Sequence, residues 1–161
     1  MTLLSSLSPT AARVQAQLIE AGFDCKVIEF SESTRTAQEA ADRVGCALGQ
    51  IVKSLIFRGQ QSGKPILVLT SGANRVDEKR LSQLAGEPIG RADPDLVRAA
   101  TGFAIGGVPP LGHATRIETY LDEDLLQYPV LWAAAGTPNA VFELTPTDLQ
   151  KMTAGLVTGV K

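Results

Sequence analysis

The sequence predicts an α+β fold: a single domain whose central mixed, strongly curved sheet of about six to seven strands is flanked by helices. Three observations predict it. Strand-like apolar runs pair off around short turn-forming connections at 51–71 and 130–144, which makes two hairpins. Such hairpins exclude a purely parallel, doubly wound sheet. The 161 residues contain no linker, low-complexity tract or internal repeat, so one domain spans 1–161.

Ser8-Pro9 opens the first helix: a capping hydroxyl, then a proline whose missing N–H costs nothing there. Val14, Leu18 and Ile19 supply its apolar stripe, and Gly22 stops it. Residues 25–30 (CKVIEF) read as a strand. Thr36-x-x-Glu39 is a capping box for a short helix ending at Gly45. The strands 51–57 (IVKSLIF) and 65–71 (PILVLTS) follow. Asp77 starts a helix that Gly86 ends, and Asp93-Pro94 starts another that closes near Gly102. Residues 103–108 and 115–120 read as extended, and a short helix follows Asp122. Residues 130–135 and 139–144 form the second hairpin around Gly136-Thr137-Pro138. Thr145-Pro146 opens the last helix, ended by Gly155.

The protein has a net charge of −2 and is 44% hydrophobic, values of a globular protein and not of a disordered or strongly basic one. Residues 1–80 carry ten Lys/Arg against eight Asp/Glu, and 81–161 carry five against nine. An anionic ligand therefore meets the first half more favourably. Cys25 and Cys46 read as buried thiols of a cytoplasmic protein. No signal peptide and no membrane-spanning run is visible.

Much chemistry is missing. His113 is the only histidine, so no metal or cofactor site is expected, and no nucleophile elbow exists. The stretch GQQSGKP at 59–65 has three residues between its glycines and Pro65 where a phosphate loop needs Ser or Thr.

Two segments stand out. Both faces of 51–57 are apolar, so Lys53 falls in a buried row. It either snorkels to the sheet edge or sits as a cation at the floor of a pocket. Residues 102–113 (GFAIGGVPPLGH) hold four glycines, two prolines and the histidine. They make either a difficult loop crossing or a wall of backbone amides against a ligand. Gly136-Thr137-Pro138-Asn139 is, by itself, a hairpin turn.

Together, 51–57, 65–77 (PILVLTSGANRVD), 102–113 and 134–146 (AAGTPNAVFELTP) resemble, in order, the YbaK / prolyl-tRNA-synthetase-associated domain family of free-standing aminoacyl-tRNA deacylases. The resemblance implies a metal-independent hydrolase, without cofactor, that cleaves the ester of mischarged tRNA in trans. Its expected substrate is tRNA(Pro) carrying a small amino acid. It implies catalytic roles for Lys53, Gly106 and Gly107, with the lysine orienting the terminal adenosine or its phosphate. Candidate substrate contacts are Phe30, Ser71, Asn74 and Val108, then Pro109, Pro110, His113 and Gly136. Arg35, Arg75, Lys79 and Arg80 are candidate tRNA contacts, with Arg58 and Lys64 as further phosphate contacts. Only the acceptor end is expected to be gripped, with prolyl-tRNA synthetase as a further partner. Phe30, Ile105, Val108, Ala134, Ala135 and Val141 suit a small aliphatic side chain in place of the polar lining of the cysteinyl-specific branch. Two alternatives stay open: a non-catalytic tRNA- or synthetase-binding module of the same fold, and a hydrolase of another small ester acting through His113.

Overall fold

The computed structural model describes residues 7–32 and 36–161; Arg35 lies outside them. Five α-helices begin on the capping residues. In α1 (Pro9–Glu20), the Ser8 hydroxyl accepts from the Ala11 amide. Capping boxes open α2 (Ala37–Val44) at Thr36 and α5 (Pro146–Thr153) at Thr145. Asp77 caps α3 (Glu78–Ala85), and Asp93 caps α4 (Pro94–Thr101). Each cap satisfies amides that the first helical turn leaves without partners. In α1 the buried stripe is Ala11, Val14 and Leu18, whereas Ile19 is 65% exposed.

The strands are β1 (Val27–Glu29), β2 (Ile51–Gly59), β3 (Pro65–Ser71), β4 (Ile89–Arg91), β5 (Glu118–Asp122), β6 (Leu131–Ala134), β7 (Ala140–Leu144) and β8 (Leu156–Thr158). They form one mixed sheet in the order β1-β7-β6-β2-β3-β5-β8, with β4 also on β2. Both hairpins are antiparallel. The pairs β2–β6, β3–β5 and β5–β8 are parallel.

The strongly curved sheet expected from the sequence does not form. The strand path has two ends, β1 and β8, that do not meet, so the sheet is open and not strongly curled. Two hairpins suggested a sheet coiling on itself. Instead, apolar layers on both faces hold it open. On one face Val52, Ile56, Leu67 and Leu69 pack with α1 and Phe103. On the other, Phe57, Ile66 and Val68 pack against Leu81 of α3, and Ile51 packs against Ala40 and Ala41 of α2. Each fully buried Leu, Ile or Val contributes about 1.5–3 kcal/mol.

Two further details differ. Strands β4 and β8, three residues each, are too short to show alternation in the sequence. Residues 103–108 are turns and bends instead of a strand, because Gly106 adopts φ +93° and two prolines follow. Among the described residues, no helix is long and apolar enough to cross a membrane.

The site depends on how β2 is paired. Against β3 it is laddered from Val52↔Ser71 to Arg58↔Pro65. On its other edge, β6 pairs only with Ile51 and Val52, and β4 pairs only with Phe57 to Gly59. Between these partners, among the described residues, no strand pairs with the edge of β2.

Candidate active site

A cavity of about 310 Å³ occupies that opening. Its walls are Ile51 to Leu55 of β2, Ala37 and Ala40 of α2, Ile105, Gly106 and Val108 of the Gly/Pro-rich segment, and Trp132 to Ala134, Thr137, Ala140 and Val141 of the second hairpin, with Thr36 beside them. Because β2 alternates, the cavity reaches both faces of the sheet: Lys53 lies on the α2/α3 face, and Ser54 lies on the α1 face.

Lys53 is half-buried, and its Nζ donates to the Asn74 carbonyl at 2.9 Å. Burial and, after it, the nearby Arg75 guanidinium hold its pKa below the usual lysine value; Asp122 pulls the other way. The turn that supplies this carbonyl is anchored from beneath. Asp122, 1% exposed, accepts from Thr70 Oγ1 at 2.9 Å, the Ser71 amide at 3.0 Å and Asn74 Nδ2 at 2.8 Å. Asn74 Nδ2 also donates to Asp124 at 2.7 Å, and Lys161 pairs with Asp124 at 2.9 Å. These charge-assisted bonds fix the lysine's partner in place.

Backbone contact positions the opposite wall. The Gly136 amide donates to the Gly107 carbonyl at 2.8 Å. A Cβ on Gly107 would lie 2.6 Å from the Gly136 oxygen, so the two segments touch where only glycine fits. The Gly107 amide donates to the Ala104 carbonyl at 3.1 Å. Among the described residues nothing engages the Gly106 amide. Glu29 joins this wall to α1, accepting from the Ser8 amide and hydroxyl at 2.6 and 2.9 Å and from Thr137 Oγ1 at 3.0 Å.

The other sequence candidates divide. Val108 lines the cavity with Lys53 and Gly106. Asn74 reaches the site through its carbonyl, and Gly107 and Gly136 support it from behind. Ser71 is buried and donates to the Gly49 carbonyl at 2.7 Å. Phe30 lies under the Arg43 guanidinium, 5.9 Å from the ring centre. Pro109 and Pro110 are buried, and Pro110 and His113 line a separate cavity. His113 Nε2 lies 2.7 Å from the Pro109 carbonyl oxygen, and burial lowers its pKa. Arg75, Lys79 and Arg80 are exposed. The Lys79 and Arg80 amides already donate to Asp77, and the Arg80 guanidinium donates to the Lys161 carbonyl. Arg58 is also exposed, and Lys64 pairs with Glu118. Among the described residues, no group of three or more His, Cys, Asp or Glu could hold a metal ion.

Sequence reasoning missed Asp122 as an anchor and Ser54 and Trp132 as walls. An acidic residue directly after Tyr120 and Leu121 at the end of an extended run was the available signal for Asp122.

The family description "Aminoacyl-tRNA editing domain" matches residues 31–152. The protein is 38% identical to YwhH of Bacillus subtilis over 125 residues, 78% of this chain and 79% of that one. It is 29% identical over 127 residues to EbsC of Enterococcus faecalis, provisionally named a Cys-tRNA(Pro)/Cys-tRNA(Cys) deacylase; the match spans 78% and 77% of the two proteins. A crystal structure provisionally described as a trans-editing enzyme for prolyl tRNA synthetase superposes with a TM-score of 0.91 at 53% identity, covering 96% of this protein and 98% of that one. By this match across most of its length, the protein belongs to the aminoacyl-tRNA editing domain family.

Proposed function

We propose that this protein is a trans-editing deacylase that hydrolyses the ester of mischarged tRNA(Pro) carrying a small amino acid. The observation that carries the reading is a half-buried lysine at a small, mainly apolar cavity whose lining also includes Gly106, an amide that no described residue engages. An aminoacyl ester is already activated, so positioning and electrostatics suffice. Lys53, with Arg75 beside it, orients the phosphate or ribose of the terminal adenosine. Water, or a ribose hydroxyl that water later replaces, attacks the ester carbonyl carbon. The acyl C–O bond breaks, and the departing ribose oxygen takes up a proton. The Gly106 amide faces the negative charge that develops on the carbonyl oxygen.

The cavity also sets the substrate. Alanines 37, 40, 133, 134 and 140 leave room for a short side chain. Bulk excludes larger residues, whereas one methylene among small ones is worth only about 1–3 kcal/mol. With a net charge of −2, the protein grips only the acceptor end, and prolyl-tRNA synthetase supplies the remaining selectivity. This reading places the activity in the cytoplasm, where tRNA is charged.

The deciding experiment is a deacylation screen over Ala-, Cys-, Ser- and Thr-charged tRNA(Pro), with Pro-tRNA(Pro) as control. Lys53→Ala should keep its fold and lose about 10²-fold or more in turnover. Unchanged turnover in that variant rejects the site. Binding without ester loss by the wild type would make the protein a recognition module.

A further inference from the structure

We propose that Ser54 receives the substrate's α-aminoacyl group as a single residue of an added strand. In this pairing the Ser54 backbone N–H donates to the ester carbonyl oxygen, and the Ser54 backbone carbonyl accepts from the α-amino group. The proposal rests on the deacylase reading above and deepens it.

Register carries the argument. The Gly59 amide donates to the Lys64 carbonyl at 2.9 Å, and the Gly72 amide donates to the Ile51 carbonyl at 2.7 Å. Odd-numbered residues of β2 therefore direct their backbone groups toward β3, and even-numbered residues direct theirs toward the opposite edge. On that edge Val52 pairs with Ala133 of β6. The Ile56 carbonyl accepts from the Ala92 amide at 3.3 Å, and Arg58 pairs with Gly90 of β4. Ser54 falls between them. Among the described residues, no strand or loop takes up its N–H or its carbonyl.

A second observation falls on the same residue. Ser54 Oγ is buried and, among the described residues, has no hydrogen-bond partner, and Ser54 lines the cavity. Three polar groups of one residue are thus unsatisfied beside an apolar hollow, an arrangement that a ligand with matching donors and acceptors resolves. An aminoacyl ester matches two of the three, the N–H and the carbonyl. Its α-amino group and carbonyl are spaced as in any peptide residue, so it can exchange two hydrogen bonds with a strand edge. Backbone pairing is indifferent to the side chain, which the alanine-rich wall then sorts by size.

The test compares Ala-tRNA(Pro) with propionyl-tRNA(Pro), which lacks only the α-amino group, each rate divided by its spontaneous hydrolysis. A full-length protein with a backbone ester in place of the 54 amide removes the N–H and deletes no ladder donor, though it weakens the Lys53 carbonyl as an acceptor toward β3. Ser54→Pro removes the same donor by a second route. The proposal expects propionyl-tRNA(Pro) to lose at least tenfold in kcat/KM, and the backbone-ester protein to lose at least tenfold on Ala-tRNA(Pro), with its melting temperature near wild type. A loss under twofold in either comparison overturns it. The propionyl comparison needs no variant, so it can overturn the proposal even if both altered proteins fold poorly. Absence of Ala-tRNA(Pro) hydrolysis by the wild type would instead remove the deacylase reading, and the proposal with it.

Discussion

The two ends of the Gly/Pro-rich segment line different cavities. Ile105, Gly106 and Val108 face the hollow of about 310 Å³ that holds Lys53; Pro110 to His113 face a hollow of about 810 Å³. The larger one is lined by Thr115, Arg116, Glu118 and Thr119 beside His113, and it lies against paired strand. The smaller one interrupts a ladder, and its polar groups include a half-buried cation and a hydroxyl without a partner among the described residues. On the reading proposed above, capacity does not mark the site; a break in backbone pairing does, because it leaves polar groups that a ligand can satisfy.

The sharpest way to break this comparison is to remove the titratable group from each hollow. Beside the loss expected for Lys53→Ala, His113→Ala should keep kcat/KM within about threefold, because its ring serves the Pro109 carbonyl. It should lower stability by about 1–3 kcal/mol in chemical denaturation. Lost turnover in a folded His113→Ala protein would transfer the chemistry to the larger hollow. The stability effect has a pH signature. The folded state keeps His113 neutral to lower pH than the unfolded state does. His113 thus contributes stability above its ordinary pKa of about 6.5, and this is lost as pH falls through the lowered folded-state value. The wild-type melting temperature should fall below pH 6.5 more steeply than that of His113→Gln.

A smaller effect tests the backbone contact behind the smaller hollow. In Gly107→Ala the new methyl meets Gly136 backbone, which cannot swing aside as a side chain would. A destabilisation of about 1–3 kcal/mol and at least a tenfold loss of kcat/KM are expected, the second because Gly106 moves with the loop. Wild-type activity in this variant would show that the wall does not position the substrate.

How much of this was legible depended on whether a signal was local. Helix starts were readable because Ser8, Thr36, Asp77, Asp93 and Thr145 act within one turn. Lys53 was readable because a charge inside a two-faced apolar strand is conspicuous in seven residues. The break in the β2 edge was not, since it is made by β4 and β6, which come from distant parts of the sequence. Ser54 looked like an ordinary strand residue for the same reason. Asp122 read as a helix start because that half of its role is local: one oxygen accepts from the Asp124 amide at 2.9 Å, while the other anchors a turn some fifty residues earlier. Ile19 fitted the apolar spacing of α1, yet its side of the helix faces solvent.

The smallest effect separates the two causes that depress Lys53. Burial comes first and the Arg75 charge second, so Arg75→Gln removes only the lesser one. If the ammonium is the working form, kcat/KM falls as pH rises through its pKa, earlier than for an ordinary lysine near 10.4. Arg75→Gln should move that alkaline limb to higher pH without bringing it to the ordinary value, once spontaneous ester hydrolysis is subtracted. The same exchange takes a cation from the mouth of the site, so KM should rise about two- to fivefold at low salt, and less at high salt. A rate that rises through this pH range instead of falling would mean that the neutral amine does the work. A limb that stays put while KM rises would mean that Arg75 meets the tRNA but does not act on the lysine, leaving burial in the broken edge of β2 as the whole cause.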